Sequence, residues 1–244
     1  MEKLVAKNIT VSYEGANIIE NISIELNKGE IVCLLGVSGV GKTTLFNVIS
    51  GLLNPDEGRV ELDGRDITGK AGNVSYMLQK DLLLPYKTII DNVSLPLVIR
   101  GEKKSKAREI TANYFKEFGL EGTEKKYPYQ LSGGMRQRAA LLRTYLFSDQ
   151  VALLDEPFSA LDSITKDAMH EWYMQVMDQI KLSTLLITHD IDEAIILSDR
   201  IYIMAGKPGK IKEEIIIKEP KPRDKNFKVS ENFMKYKRHI LSIL

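Results

Sequence analysis

Apolar and polar residues alternate, or run apolar with β-branched side chains, over residues 4–11 and 22–26, and Gly15-Ala16-Asn17 supplies a turn between them. That pattern predicts an antiparallel opening pair of strands. Continuous apolar runs follow at 31–35 (Ile-Val-Cys-Leu-Leu), 151–154 (Val-Ala-Leu-Leu) and 184–187. Runs without alternation read as strands buried on both faces, as in a parallel sheet. Further strands are expected at 59–62, 74–77, 200–204 and 211–217, the last two joined by the turn Gly206-Lys207-Pro208-Gly209. Helices are expected over 42–49, from Ser132 to about Phe147, after Asp162 with Met169, Trp172, Tyr173, Val176 and Ile180 on one core-facing side, and at the C-terminus. From Lys80 the chain turns helical: Ala107, Ile110, Thr111, Tyr114, Phe115 and Phe118 share one helical face, and Thr88-x-x-Asp91 has the spacing of an N-terminal cap. Asp190-x-x-Glu193 has the same spacing.

Strands alternating with helices predict an α/β fold with a mostly parallel sheet, an antiparallel β part and an inserted α-helical subdomain. At 244 residues the chain suits one domain, 1–244, with core segments 1–79 and 149–244 around a helical insertion at 80–148. Lys plus Arg number 34 against 33 Asp plus Glu, a net charge of +1, so the overall balance gives no argument for nucleic acid. Cys33 is the lone cysteine and lies in an apolar strand, which reads as a small buried hydrophobe. Met1-Glu2-Lys3-Leu4 lacks the charged and apolar regions of a signal peptide, and the apolar run 93–99, broken by Pro96, is too short to span a bilayer. A cytoplasmic chain is therefore expected. From Lys207 onward there are 11 Lys or Arg against 5 Asp or Glu. This end is either a solvated face or a surface for anionic lipid.

The candidate chemistry centres on Gly36-Val37-Ser38-Gly39-Val40-Gly41-Lys42-Thr43-Thr44, which satisfies the phosphate-loop pattern G-x-x-x-x-G-K-[ST] between an expected strand and an expected helix. Glycines let the backbone aim N–H groups at phosphates, at a helix N-terminus whose dipole favours negative charge. Lys42 would reach the β/γ-phosphates and the Thr43 hydroxyl would supply an oxygen to Mg²⁺. Residues 151–154 would deliver Asp155 and Glu156 at the edge of the sheet where ligands gather. Asp155 is suited to holding Mg²⁺, Glu156 to orienting and deprotonating an attacking water. The strand 184–187 would bring His189 to the same edge. Ser132-Gly133-Gly134 opens a helix and is either an ordinary cap or a second anion site. Tyr13, after the first strand, is either a surface tyrosine or a stacking platform for an adenine ring.

The ordered set of Tyr13, the phosphate loop, Gln79, Leu131-Ser132-Gly133-Gly134-Met135-Arg136-Gln137-Arg138, Asp155-Glu156, Ser159-Ala160-Leu161-Asp162 and His189 resembles the ATP-binding subunit of ABC transporters. Leu82-Leu83-Leu84-Pro85-Tyr86, Ile187-Thr188-His189-Asp190 and the Pro208-Gly209 turn look like the nitrate, sulfonate and taurine importers. Val37 and Val40 stand where such proteins often have Pro and a small polar residue, and Tyr86 where they often have Trp. The resemblance implies ATP and Mg²⁺ as ligands, Gln79 as a sensor of the metal and γ-phosphate, and a head-to-tail homodimer. In that dimer Ser132, Gly133 and Gly134 of one subunit complete the phosphate loop of the other. It also implies integral membrane permease subunits, an extracytoplasmic solute-binding protein acting through them, and a place at the inner face of the cell membrane. Leu82 to Tyr86 is expected to dock the permease, with inward packing of its leucines as the other reading. The competing functions, a soluble ABC-type ATPase or a small-molecule phosphotransferase, fit less of the motif set.

Overall fold

The computed structural model describes residues 2–148, 150–223 and 225–244. Two long strands, β1 (Glu2–Tyr13) and β2 (Ala16–Asn27), pair antiparallel. β1 also pairs antiparallel with β4 (Glu57–Leu62), on which the two-residue β5 (Arg65–Asp66) folds back, giving a four-stranded sheet in the order β2-β1-β4-β5.

The second sheet has six strands. β3 (Ile31–Gly36) sits inside it, followed in sequence by α1 (Lys42–Ile49) and β6 (Ser75–Met77). Then come the short helices α2 (Ile89–Val93), α3 (Leu95–Ile99) and α4 (Lys104–Ala112), and the longer α5 (Gly133–Phe147). β7 (Val151–Asp155), α6 (Ser163–Ile180), β8 (Ser183–Thr188), α7 (Ile191–Leu197), β9 (Arg200–Ala205), β10 (Lys210–Ile216), α8 (Lys225–Lys228) and α9 (Glu231–Ile243) complete the chain. The strand order is β10-β9-β3-β8-β7-β6, with every neighbouring pair parallel except β10 with β9.

Strand geometry divides the core in two. Successive side chains of a strand point to opposite faces, so Val32 and Leu34 join Leu153, Leu185 and Phe46 of α1 beneath the antiparallel sheet, while Cys33 and Leu35 join Leu154, Leu186 and the residues of the helices on the other face. Every residue of β3, β7 and β8 is buried, which is why these strands show no alternation in the sequence.

Parallel register then lines up their carboxyl ends: Leu35 lies opposite Thr188, Asp155 opposite Ile187, and Met77 opposite Leu154. The phosphate loop, His189, Glu156 and Gln79 all follow within two residues of these positions.

Several expectations change. Thr88 precedes α2 but its hydroxyl finds no partner among the described residues, and Asp91 is instead gripped by Arg108, with two contacts of 2.8 Å, and by Lys104 at 3.3 Å. An ionic partner on α4 satisfies the carboxylate better than a backbone amide would. The helical face expected from Ala107 to Phe118 ends as helix at Ala112; Phe115 and Phe118 are delivered to the core by turns. Leu83 is a core residue, 7% exposed, whereas Leu82 and Tyr86 are 53% and 72% exposed. A five-residue loop has no periodicity, and Leu83 turns inward because the Asp81 carboxylate accepts its amide at 3.0 Å while Leu82 takes a positive φ. Cys33 is fully buried, and burial pushes its thiol well up.

At the basic end, Lys221 pairs with Asp199, Lys228 with Asp167 and Lys237 with Asp192. The buried Arg223 donates to the carbonyls of Ile195, Ile196 and Ser198, so much of this charge is engaged within the fold. Among the described residues, no helix is long and apolar enough to cross a membrane.

Candidate functional site

The phosphate loop turns from β3 into α1 through Gly41, the N-cap, at φ +106°; a Cβ there would lie 2.4 Å from Ile19 Cγ2. Gly36 is equally constrained from the other side, since a Cβ would meet the Met204 carbonyl at 2.4 Å. Both contacts keep the loop close to its flanking strands. Among the described residues no side chain caps α1, and its first turn holds no acidic residue, so the amide groups and helix dipole are left for an anion.

Lys42 is 6% exposed and donates from Nζ to the Gly36 carbonyl at 2.7 Å and the Val37 carbonyl at 3.0 Å. Burial lowers its pKa, against the opposing pull of Glu156 and Asp155. An ammonium so poorly hydrated gains from an anionic ligand. Ser38, Gly39 and Thr43 are exposed along the loop and Thr44 is half-buried.

Asp155 and Glu156 are neighbours in sequence and lie in different surroundings. Asp155 ends β7, 7% exposed, and accepts from the Thr43 hydroxyl at 3.2 Å; the Tyr76 hydroxyl stands 3.5 Å from the same oxygen. Burial raises its pKa, the Thr43 hydrogen bond opposes that rise, and the Glu156 charge adds to it. Glu156 leaves the strand at φ +46°. One carboxylate oxygen lies 3.0 Å from His189 Nδ1 and the other accepts from Gln79 Nε2 at 3.1 Å. Gln79 also reaches Ser159 Oγ at 3.4 Å, and Ser159 donates back to the Glu156 carbonyl at 2.9 Å. Oxygen donors around Thr43 and Asp155 suit a hard cation, and a carboxylate held between an imidazole and an amide suits proton abstraction from a water.

Gly133, Arg136, Gln79, Glu156 and His189 line one open groove of about 750 Å³. Ser132 N-caps α5 by accepting the Met135 amide at 3.3 Å, while Gly133 and Gly134 form its first turn. Ser132 is thus an ordinary cap within this chain, on an exposed face. Tyr13 is 66% exposed at the end of β1, with no ring contact among the described residues.

Sequence reasoning named Arg136 only as part of the motif and missed Arg143. Arg136 pairs with Asp81 at 3.2 Å, and Arg143 donates to the Asp81 and Leu82 carbonyls, so the loop after Gln79 is bound to the helix that Ser132 caps. Their spacing of seven, two helical turns, is the signal that was available. It also missed Asn92, whose buried side chain accepts from Leu84 N at 2.6 Å and donates to the carbonyls of Leu84 and Thr88. Of the Asp190-x-x-Glu193 pair, Asp190 caps α7 by accepting two amides, but Glu193 points into the core.

A sequence profile described as ABC transporter matches residues 19–159, more than half of the chain. The chain belongs to the ABC transporter family. It is 47% identical over 208 residues to the formylaminopyrimidine import ATP-binding protein ThiZ of Halalkalibacterium halodurans, covering 85% of this chain and 81% of that one. It is 40% identical over 238 residues to the aliphatic sulfonates import ATP-binding protein SsuB of Bacillus cereus, covering 97% and 92%. A dimeric, post-hydrolysis structure of the ATP-binding cassette MJ0796 bound to ADP and Pi superposes with a TM-score of 0.74 at 27% identity, covering 89% of this chain and all of that one. The chain is therefore an ATP-binding cassette ATPase, and the resemblance to the sulfonate, nitrate and taurine group is borne out by its relatives.

Proposed function

We propose that this ABC ATPase is the ATP-hydrolysing subunit of an importer for a small solute, with Glu156 as general base. The observation that carries the reading is the carboxylate of Glu156 held between His189 Nδ1 at 3.0 Å and Gln79 Nε2 at 3.1 Å, beside the buried Thr43–Asp155 pair. Gly36, Ser38, Gly39, Gly41, Lys42, Thr43 and Thr44 would cradle the ATP phosphates, and Tyr13 would stack on the adenine. Thr43, Asp155 and Gln79 would hold Mg²⁺, which supplies charge neutralisation at the phosphates when bound. Glu156 takes the proton of the attacking water, and His189 and Gln79 hold the carboxylate in place.

Two chains would pair head to tail so that Ser132, Gly133 and Gly134 of each face the other's phosphate loop. The exposed cap of α5, and the dimeric state of the MJ0796 cassette, support this arrangement. Residues 80–148 would move as the helical subdomain, and Leu82 and Tyr86, without Leu83, would meet permease subunits at the inner face of the membrane; a solute-binding protein would act through that permease. For the solute, identity favours a formylaminopyrimidine-like compound, at 47% against 40% for the sulfonate relative.

The test is Glu156→Gln in purified protein. ATP binding should persist, turnover should fall by a factor of a hundred or more on the scale of a lost general base, roughly 10²–10⁴, and the population should shift to an ATP-bound dimer. Near-normal steady-state hydrolysis would falsify the assignment.

A further inference from the structure

His189 is proposed to hold the Glu156 carboxylate in place, yet its side chain is 53% exposed, and Glu156 is the partner it meets. Something other than packing around the ring must therefore hold it. The backbone on either side of His189 is bound by one hydroxyl: Thr188 Oγ1 accepts the Asp190 amide at 3.0 Å and donates its proton to Glu193 Oε2. Thr188 and Glu193 are 1% and 3% exposed. The other oxygen of Glu193 lies 3.2 Å from Nε2 of His170, which is 5% exposed and comes from α6. A buried carboxylate needs donors on both oxygens. Nε2 of His170 is placed to donate the second.

The chain continues to the other half of the site. The His170 ring stands edge-on to Phe158, centroids 4.9 Å apart at 80°, and Phe158 is two residues beyond Glu156. Phe158 is 2% exposed and also packs edge-on against Tyr173. Glu156 itself donates its amide to the Ile187 carbonyl at 3.0 Å. The two segments that carry Glu156 and His189 are thus joined beneath the surface through the buried residues Phe158, His170, Glu193 and Thr188.

We infer that Thr188, Glu193 and His170 are positioning residues for hydrolysis: this buried hydrogen-bond chain sets the separation of Glu156 and His189 and keeps the imidazole against the Glu156 carboxylate. The inference rests on the proposed roles of those two side chains. A base and its orienting partner displaced by about 1 Å lose rate steeply, by as much as ~10²-fold, whereas ATP binding through the phosphate loop does not depend on this chain.

The experiment compares Thr188→Val, which is near in volume and has no hydroxyl, with Thr188→Ser, which retains it, each alone and in a His189→Ala background. Single-turnover hydrolysis, binding of a fluorescent ATP analogue and thermal unfolding are measured on the full chain. Thr188→Val should slow hydrolysis by about tenfold or more while analogue affinity changes by less than about twofold, and Thr188→Ser should restore the rate. In the His189→Ala background the Val substitution should add no further loss, because the hydroxyl acts through His189. Should Thr188→Val fail to fold, His170→Leu and His170→Gln serve instead: the glutamine amide can still donate to Glu193, so Gln should keep the rate that Leu loses. Unchanged hydrolysis in a folded Thr188→Val or His170→Leu protein, or rate losses that multiply in the double variant, would overturn the positioning chain while leaving the catalytic reading intact. A normal rate in His189→Ala alone would instead overturn the role of His189, and the inference with it.

Discussion

Leu83 and Tyr86 are three residues apart in the loop after Gln79 and should respond to mutation in opposite ways. Leu83 is 7% exposed and packs in the core cluster with Ile89, Val93 and Leu131. Truncating a buried leucine to alanine costs about 2–5 kcal/mol, the lower part where the surroundings can close on the gap. A loop can close better than a helix or strand, but this loop is held by Asn92 at Leu84 and by Arg143 at Leu82, so about 2–3 kcal/mol is expected of Leu83→Ala. In a chain of 244 residues each kcal/mol moves Tm by about 2–4 °C, giving a drop of roughly 4–12 °C. Tyr86 is 72% exposed, and Tyr86→Ala should stay within about 0.5 kcal/mol of the parent, a shift under about 2 °C. Thermal unfolding of the isolated proteins without nucleotide measures both, and co-purification with the permease measures docking. Tyr86→Ala should lose capture at unchanged stability. Leu83→Ala unfolding together with the parent would refute the core assignment, and Tyr86→Ala assembling and transporting normally would remove the docking role of this segment.

Three further outcomes follow from the geometry. Ser132→Asp keeps a capping oxygen for α5 but places a negative charge where phosphate is expected, and Lys42→Ala removes the phosphate contact; mixing these two inactive proteins should restore part of the ATPase activity, and mixtures that stay inactive although heterodimers form would argue against composite sites. Asp155→Asn should abolish turnover yet raise Tm at pH 7: burial raises the Asp155 pKa above 3.8, so the charged form costs stability at any pH above the folded value, and the advantage of Asn should shrink as pH falls towards 3.8. Glu30→Gln should destabilise by about 2 kcal/mol at neutral pH, on the scale of hydrogen bonds to a charged group. Burial acts to raise the Glu30 carboxyl, but the Arg200 contacts at 2.5 and 2.9 Å and the Asn27 amide donating at 2.8 Å together outweigh it and hold the pKa below 4.5. The parent's advantage is therefore complete above pH 4.5 and disappears as pH falls through the lower folded value, which unfolding curves at a series of pH values would reveal.

What could be read from the sequence was what local chemistry imposes. The phosphate loop needs glycines at Gly36 and Gly41 because a Cβ at either would strike Met204 or Ile19, and that requirement leaves a string that survives in any surroundings. The unbroken apolar strands were legible for a similar reason, since both of their faces are covered. The inward turn of Leu83 was not legible: it follows from hydrogen bonds of one loop to residues up to 62 positions away, and no period of two or 3.6 exists in five residues. Glu193 carried a misleading signal. Its spacing from Asp190 suits a cap, and only the approach of His170, 23 positions earlier on another helix, supplies the buried donor that draws the carboxylate inward.

The different environments of Asp155 and Glu156 depend on one backbone angle. In an uninterrupted strand, consecutive side chains would point to opposite faces of the sheet, and one of the two carboxylates would be driven into the apolar core. Asp155 is the last residue of β7, in register with Ile187, and its side chain lies towards Thr43. The positive φ of Glu156 takes the next residue out of the pleat, so the second carboxylate emerges over the sheet edge beside His189 and Gln79. A non-glycine residue at such an angle is strained by about 1–3 kcal/mol. Tertiary contacts must hold it there, and the Glu156 amide bonded to Ile187 and the Ser159 hydroxyl bonded to the Glu156 carbonyl do so from either side. The strain separates the two acids: one stays buried next to the phosphate loop with its pKa raised, and the other stands in the open groove between an imidazole and an amide, where a water can reach it.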